Sequence, residues 1–357
     1  MNSSIDLLKT IKVCQDHPEL AEQLQKVITD LSGDSSPIAQ VKDFSIGSDQ
    51  VVFYVKTDSN FEAVIKVPKI SFQKKDNSSS FFAMHLPIKQ AWFLQTLENH
   101  KGIIAPRLLN LDANGKFFVE TFLPERNLGE AEDVSDDETR MIMNELGETM
   151  RNLHSIKSEK FGYIALEGEN QGRFDNWFEM FKEVNSSIDE CAQAINLDEA
   201  TIQKIQEIYT EQKDYLSGYN EPRLLHADLS CNNIRVHKEN GKWSFNGIID
   251  FADVLSGDPL YDFGEFLGEG CGDWKQISFM EETYFDGGKK FTIAERKRIR
   301  FYALYFCLWW IVCANEVKRA KHTKTLYTLI NMTFEWDGKF FTINWIINIS
   351  KSAVSNR

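Results

Sequence analysis

Three side chains with oxygen atoms, Asp228, Asn233 and Asp250, stand close together in two short segments of the chain. Asp228 and Asn233 belong to the polar segment 226–233, His-Ala-Asp-Leu-Ser-Cys-Asn-Asn, and Asp250 belongs to 248–253, Ile-Ile-Asp-Phe-Ala-Asp. Phosphoryl transfer needs a group that orients the attacking hydroxyl and metal ions that neutralise the phosphates. Asp228 can accept the proton of a hydroxyl, while Asn233 and Asp250 offer the oxygen ligands that Mg²⁺ prefers. The residues therefore indicate metal-assisted phosphoryl transfer, if the fold brings both segments to one cleft.

The arrangement of these segments resembles that of the aminoglycoside phosphotransferase family, which also includes choline-kinase-like and hygromycin-phosphotransferase-like enzymes. The resemblance rests on His-x-Asp with an asparagine five residues after the aspartate, followed by Ile-Asp-Phe after the next pair of strands. It extends to Gly-Asp-Pro-Leu-Tyr-Asp at 257–262 and to residues 146–162 at the lobe boundary. Any one piece is a weak signal, and the combination is specific.

The resemblance implies an α+β fold with the two lobes of a protein kinase, a small β-rich N-lobe and a larger, mainly helical C-lobe. It implies that Asp228 is catalytic, that Asn233 and Asp250 bind Mg²⁺, and that Lys66 contacts the phosphates of ATP or GTP. His226 is expected to order the loop around Asp228. Taken singly, each residue also fits a turn, a helix cap or an exposed strand position.

Other residues of the chain are expected to support this site. By the same resemblance, Asp258 and Asp262 brace the catalytic loop. His154, at the end of a predicted amphipathic helix, is expected to pack or to cap that helix.

The nucleotide-binding segments depart from known kinase patterns in two places, the first from that of protein kinases and the second from that of the family. The loop that contains Gly47 and Ser48 has a single glycine; its backbone can still cover phosphates, although a plain hairpin turn fits equally well. Glu120 and Phe122 lie where the lobes join, and we expect their backbone groups to contact the nucleotide. Family members often carry a glutamate on the helix after the lysine strand to pair with that lysine, and this chain has Gln90 there.

Hydrophobic periodicity predicts a β-rich first third and a helical remainder. We expect an N-terminal helical segment at residues 1–35, a nucleotide-binding N-lobe at 36–123, and a C-lobe with the catalytic loop at 124–357. A cleft between two such lobes is a natural nucleotide site. Strands are predicted at residues 41–46, 51–55, 63–67, 108–111 and 117–122, with a helix at 88–98.

Composition limits the partners of the protein. The chain has 357 residues with 40 basic and 53 acidic side chains, a net charge of −13. This balance argues against a nucleic-acid partner, which would need a basic surface, and is compatible with a cationic small molecule. The apolar run at 301–314 is shorter than the about 20 residues that span a bilayer. We therefore expect no membrane partner, and a monomer or homodimer.

The six cysteines form no Cys-x-x-Cys pair, so a structural zinc site has little support. Their scattered positions suit a reducing compartment, and the N-terminus has no basic start or long apolar run typical of a secretory signal. These features predict a cytoplasmic protein.

The acceptor site is expected in the helical lobe. Glu265, Glu269 and Asp273 follow the catalytic segments, and carboxylates that line a cleft would suit an aminoglycoside or a related aminosugar. A solvated helix face is the alternative. Aromatic residues there either belong to the core or cage a choline-like cation: Trp274, Tyr302, Tyr305 and Trp309. A choline-, homoserine- or sugar-like acceptor stays open.

Two other functions compete with a small-molecule kinase. A protein kinase needs a long activation segment, but only seven residues separate Asp250 from Asp258, and Ala252 stands where a protein kinase has glycine. A catalytically inert nucleotide-binding module is supported only by Gln90.

Overall fold

A computed structural model of the protein describes residues 4–44, 50–68, 87–124, 126–164, 172–270, 272–313, 315–334 and 340–341. Gly47 and Ser48, which were predicted to cover the phosphates, lie outside the described residues. Within these ranges a β-rich first lobe is followed by a mainly helical region. This arrangement confirms the predicted α+β fold.

The first lobe is a five-stranded antiparallel sheet with helices on its faces. The chain enters through three helices, α1 (Ser4–Leu8), α2 (Lys12–Asp16) and α3 (Pro18–Ser32). The sheet consists of β1 (Ile38–Asp43), β2 (Gln50–Thr57), β3 (Glu62–Pro68), β4 (Leu108–Leu111) and β5 (Phe118–Thr121), and helix α4 (Pro87–Glu98) follows β3. The spatial order is β1-β2-β3-β5-β4. All five strands and the helix lie within a few residues of their predicted positions.

Strand β3 gives the sheet two different faces. Successive side chains of a strand point to opposite sides, so Ala63, Ile65 and Val67 share one face and join the core that helices α1–α3 complete. Lys66 points to the opposite side, toward the second lobe. The N-terminal helices thus share one core with the sheet, while the division of the chain at residues 35 and 123 stays a prediction.

The second lobe contains seven further α-helices in the described residues. They are α5 (Asp136–His154), α6 (Val184–Ile195), α7 (Glu199–Gly218), α8 (Leu260–Gly268), α9 (Trp274–Tyr284), α10 (Ile293–Cys313) and α11 (Glu316–Ile330). Helix α8 is buried along its whole length, because it lies against α10 and next to the catalytic loop. None of the described helices is long and apolar enough to cross a membrane.

Short strands hold the catalytic segments between these helices. They are β6 (Arg126–Asn127), β7 (Phe161–Ile164), β8 (Gly172–Phe174), β9 (Arg223–Leu225), β10 (Ile234–Glu239), β11 (Lys242–Ile248) and β12 (Leu255–Gly257), with a final pair β13 (Thr333–Phe334) and β14 (Phe340–Phe341). They form sheets in the orders β11-β10-β6 and β8-β7-β12-β9. Segment 226–233 therefore joins β9 to β10, and Asp250 follows the β10–β11 hairpin.

The two lobes meet closely at the end of β11. The Ile248 amide donates a hydrogen bond of 2.9 Å to the Ile104 carbonyl oxygen. Gly247, with a φ of 125°, permits this approach, because a Cβ atom there would lie 2.8 Å from the same oxygen. Arg235 donates to the Leu123 carbonyl and to the Asn127 side chain at 3.2 and 2.6 Å. The strand after the catalytic loop is thus fixed to the segment that joins the lobes.

Leu24→Ala tests the packing of the N-terminal helices on the sheet. Leu24 is fully buried, so its truncation leaves a cavity and is expected to lower the free energy of unfolding by about 2–5 kcal/mol. Lys26→Ala, on the exposed face of the same helix, should change it by less than about 0.5 kcal/mol. Urea denaturation followed by circular dichroism measures both, and equal midpoints would contradict this packing.

Candidate active site

Segment 226–233, the predicted catalytic loop, is held in place by one buried carboxylate on helix α8. The amides of His226 and Ala227 donate hydrogen bonds of 2.9 and 2.8 Å to the two oxygens of Asp262. Ala227 has a φ of 60°, a left-handed conformation that residues with a Cβ rarely adopt. His154 lies with Nε2 2.9 Å from the same carboxylate and Nδ1 2.9 Å from the Tyr284 hydroxyl. The prediction that Asp262 braces this loop is confirmed.

Asp258 acts at one remove from the loop. Its carboxylate accepts hydrogen bonds from the Leu260 amide at 3.0 Å and from the Tyr302 hydroxyl at 2.8 Å. It therefore fixes the start of α8, and through that helix the position of Asp262.

His226 connects the catalytic loop to the strand that precedes Asp250. Its Nε2 lies 2.9 Å from the Ile249 carbonyl oxygen, which requires a proton on Nε2, and its Nδ1 accepts from the Asp228 amide at 3.2 Å. Burial lowers the pKa of His226, which favours this neutral form. With both nitrogens occupied, His226 orders the loop, as predicted.

Asn233 contacts Asp228 in a way that fixes both side chains. Its amide nitrogen donates to the backbone oxygen of Asp228 at 2.8 Å and to Oδ2 of the carboxylate at 2.7 Å. Because both partners are acceptors, the nitrogen of the amide must face them. The amide oxygen of Asn233 is therefore turned away from Asp228.

Lys66 lies between two carboxylates. Its Nζ is 3.3 Å from Oε1 of Glu120 and 3.7 Å from Oδ1 of Asp250. Burial lowers the pKa of Lys66, but the charges of Glu120 and Asp250 outweigh that effect and raise it overall. Lys66 is thus a cation at the inner side of the cleft, next to Asp250.

Glu120 has a different place from the one that the sequence predicted. It lies inside β5, opposite Val64 of β3 and Leu108 of β4, so its backbone is part of the sheet, and its carboxylate faces Lys66. Because Glu120 lies close in the chain to the segment that joins the lobes, the sequence predicts a contact between its backbone and the nucleotide. Phe122 follows β5 with its ring 4.6 Å from that of Tyr54, and its contact with the nucleotide stays a prediction.

Asp250 and Asn233 fit a magnesium site. Oδ1 of Asp250 is buried and has no hydrogen-bond partner among the described residues, while the side chain as a whole is 42% exposed. In the described part of the chain no group of three His, Cys, Asp or Glu side chains is placed to hold a metal ion. Mg²⁺ usually binds through one or two carboxylates and substrate phosphates, so one carboxylate and one amide oxygen suit it.

Carboxylates crowd around Asp228. Burial raises the pKa of Asp228 well above its usual value, and the charges of Asp253, Asp250 and Glu269 raise it further. Burial likewise raises the pKa of Glu265, with a further contribution from Asp228. Like charges at short range oppose ionisation of one another. These neighbouring carboxylates therefore make ionisation of Asp228 less favourable.

The three predicted acceptor residues lie in different surroundings. Glu265 is buried and accepts from the Leu229 amide at 3.4 Å. Glu269 is 15% exposed and lies 3.7 Å from Lys321. Asp273 is exposed and caps α9, accepting from the Gln276 amide at 2.8 Å. The structure brings Glu265 and Glu269 near Asp228 and gives Asp273 a capping role instead.

The aromatic residues of this region belong mainly to the core. Tyr302 is fully buried and accepts from the Trp177 indole at 2.9 Å. Trp274 is largely buried as well, and the Tyr305 hydroxyl donates to the Met180 carbonyl at 3.2 Å. Of the four candidates for a cation cage, only Trp309 is exposed.

The sequence reading missed Lys89 and Asp253. Lys89 is buried at the start of α4 and donates to the Ala252 carbonyl at 3.3 Å, and burial lowers its pKa to about 8. Asp253 follows three residues after Asp250 and acts on the pKa values of the surrounding groups. The second acid of Asp-Phe-Ala-Asp was a signal for Asp253, whereas nothing in the sequence distinguished Lys89 from an exposed helix lysine.

Comparison with known proteins gives one family and one fold. The model of the phosphotransferase enzyme family (APH) matches residues 40–302. Among solved structures, a thermostable mutant of the aminoglycoside phosphotransferase APH(4)-Ia, with ADP and hygromycin B, has a TM-score of 0.58 at 15% identity, covering 86% of this chain and 97% of its own. The streptomycin–ATP complex of APH(2")-IIa has a TM-score of 0.56 at 21% identity, with coverages of 88% and 97%. No curated protein matches the chain.

Asp262→Ala tests whether one carboxylate holds the catalytic loop. It leaves two buried amides without an acceptor, each worth about 1–3 kcal/mol, so the free energy of unfolding is expected to fall by about 2–6 kcal/mol. Asp273→Ala is the control, since loss of an N-cap costs about 0.5–2 kcal/mol. Urea denaturation compares them. An Asp262→Ala loss no larger than the control would show that other contacts hold the loop.

Proposed function

The chain belongs to the phosphotransferase enzyme family, as its motifs predicted, and on that premise we propose that it transfers the γ-phosphoryl group of ATP or GTP to a hydroxyl of a small cationic molecule. The observation that carries this proposal is the proximity of Asp228, Asn233, Asp250 and Lys66. A protein kinase is not supported. Helix α8 begins at Leu260, and the few residues between Asp250 and this helix leave no room for a long activation segment.

Asp228 orients the acceptor hydroxyl in this proposal. Asn233 occupies Oδ2 of its carboxylate, which leaves Oδ1 to accept the hydrogen of the hydroxyl. As the bond between the hydroxyl oxygen and the γ-phosphorus forms, the bond from phosphorus to the oxygen of the leaving diphosphate breaks. The hydroxyl proton passes to the ionised carboxylate of Asp228, which acts as the positioned base.

The phosphates of the nucleotide are bound, in this proposal, by Lys66 directly and by Asp250 and Asn233 through a metal ion. Lys66 places a positive charge at the inner side of the cleft, 3.7 Å from Asp250. Asp250 and the amide oxygen of Asn233 would hold Mg²⁺, which would supply positive charge to offset the charge that develops on the phosphates. These residues keep the donor in line with the hydroxyl that Asp228 presents.

An aminoglycoside or a related aminosugar is the acceptor that we propose. Asp253 and Glu269 act on Asp228 as negative charges, which suits ammonium groups on the acceptor. Two structures of similar fold are complexes with hygromycin B and with streptomycin. A choline-, homoserine- or sugar-like acceptor is the alternative. A cytoplasmic location and a monomer or homodimer stay predictions.

Asp228→Asn and Asp250→Asn are expected to separate chemistry from nucleotide binding. The first should lower the single-turnover rate roughly 10²- to 10⁴-fold, the contribution of a positioned base, and keep the affinity for Mg²⁺-ATP. The second should lower both, because it removes a charged ligand of the metal. Rapid-quench kinetics and calorimetry with Mg²⁺-ATP and Mg²⁺-GTP measure them. The reverse pattern would exchange the two roles, and wild-type rates in both would place the active site elsewhere.

Glu269→Gln tests the charge of the acceptor. Phosphoryl transfer is first screened against aminoglycosides, choline, amino sugars, neutral sugars and homoserine. For a cationic acceptor, KM should rise by roughly two- to fivefold, the effect of one lost ion pair that solvent partly screens, while the affinity for ATP stays unchanged. Asp273→Asn, which keeps the helix cap, should leave KM unchanged. A KM that responds to Asp273→Asn and not to Glu269→Gln would move the acceptor site.

A further inference from the structure

Lys66 has two carboxylate neighbours that differ in their exposure to solvent. The side chains of Lys66 and Glu120 are only 6% and 5% exposed, and their charged atoms lie 3.3 Å apart. Asp250 lies 3.7 Å from Lys66 on the other side, and its side chain is 42% exposed. Glu120 is therefore the interior anchor of the lysine, and Asp250 is the neighbour that faces the cleft.

The sheet itself brings Lys66 and Glu120 together. Strands β3 and β5 are antiparallel neighbours in which Lys66 is opposite Phe118 and Val64 is opposite Glu120. Lys66 and Glu120 are thus diagonal neighbours on one face, a distance that long side chains bridge. Both belong to rigid strands, so their contact does not depend on the position of helix α4.

Helix α4 contacts the segment after Asp250. Gln90 is 1% exposed, and its amide nitrogen has no hydrogen-bond partner among the described residues. The residue before it, Lys89, donates to the Ala252 carbonyl at 3.3 Å. One turn later, the Phe93 ring lies 5.1 Å from that of Phe251. The helix therefore supports the segment after Asp250. The side-chain amide of Gln90 is neutral, so it cannot supply a counter-charge to Lys66.

A buried ammonium needs such a counter-charge. Without one it loses its proton or moves to solvent, and the flexible stem of lysine allows the second. Glu120 prevents both, because it holds the ammonium beside Asp250 before any nucleotide arrives. A cation fixed in advance is worth more to a transferring phosphoryl group than one that must first be ordered.

We propose that Glu120 is the positioning residue for Lys66, in the place of an acid on helix α4, and that it acts on nucleotide phosphates only through that lysine. This inference rests on the proposed function, since it assumes that Lys66 binds the phosphates of a nucleotide. Glu120 itself touches neither substrate.

Calorimetry with Mg²⁺-ATP and with adenosine tests the proposal, because only ATP carries phosphates. Glu120→Gln, which keeps the shape of the side chain, should lower the ratio of ATP affinity to adenosine affinity by roughly tenfold or more, as expected for a lost hydrogen bond to a charged group. Gln90→Met is the matched control on α4, and its ratio should equal that of the wild type.

Two further variants keep the test decisive if Glu120→Gln folds poorly. Lys66→Met removes the lysine, and Lys66→Met/Glu120→Gln removes both charges, which buried pairs tolerate better than the loss of one partner. The ratio of affinities should be equal in these two proteins, because Glu120 has no other route to the phosphates.

Each other result overturns a definite statement. Wild-type protein that binds adenosine and Mg²⁺-ATP equally, or binds neither, would overturn the proposed function. With ATP binding intact in the wild type, the role of Glu120 is refuted by an unchanged ratio in Glu120→Gln, or by equal losses for both ligands. A lower ratio in Gln90→Met alone would return the role to α4. A further loss from Glu120→Gln without Lys66 would mean that Glu120 contacts the nucleotide directly.

Discussion

The crowding of carboxylates around Asp228 is the constraint on which the rest of the site depends. Asp250, Asp253 and Glu269 lie close enough to raise the pKa of Asp228, and Asp228 and Asp253 contribute to raising that of Glu265. Such a cluster opposes folding unless cations or hydrogen bonds compensate it. In our account the compensation is divided between the two substrates, with a metal and its nucleotide on one side and a cationic acceptor on the other. In this proposal, the negative charge that opposes ionisation of Asp228 also favours cationic ligands.

The fold holds the reacting groups in place through buried residues that contact them or their backbone. Asp262 holds the catalytic loop by two backbone amides, and Asn233 fixes the carboxylate of Asp228. On the other lobe Glu120 holds Lys66. Since electrostatic stabilisation of a transition state requires groups that are already in place, these buried contacts matter for the rate although only some of the anchors meet a substrate.

The sequence predicted the parts of this site that are local in the chain. Asp228 and Asn233 belong to one loop and Asp250 follows the next hairpin, so their spacing together with the family resemblance indicated that they meet. Glu120 could not be assigned in this way, because its contact with Lys66 depends on which strand lies beside β3. The role of Asp273 was, by contrast, readable from its neighbours in the chain. An acid three residues before a glutamine is the pattern of a capping box, which the prediction of an acceptor residue did not consider. Most strands of the first lobe and the long helices were predicted by periodicity, whereas β7, β8 and β12, of three or four residues each, were not.

A crystal structure of the protein with Mg²⁺ and AMP-PNP would test the central claim most directly. Our account predicts a metal about 2.0–2.1 Å from an oxygen of Asp250 and from the amide oxygen of Asn233. It also predicts the ammonium of Lys66 in contact with phosphate while still paired with Glu120, and Oδ1 of Asp228 facing the γ-phosphate across the acceptor space. A nucleotide bound outside the interlobe cleft, or a metal held by neither Asp250 nor Asn233, would contradict it.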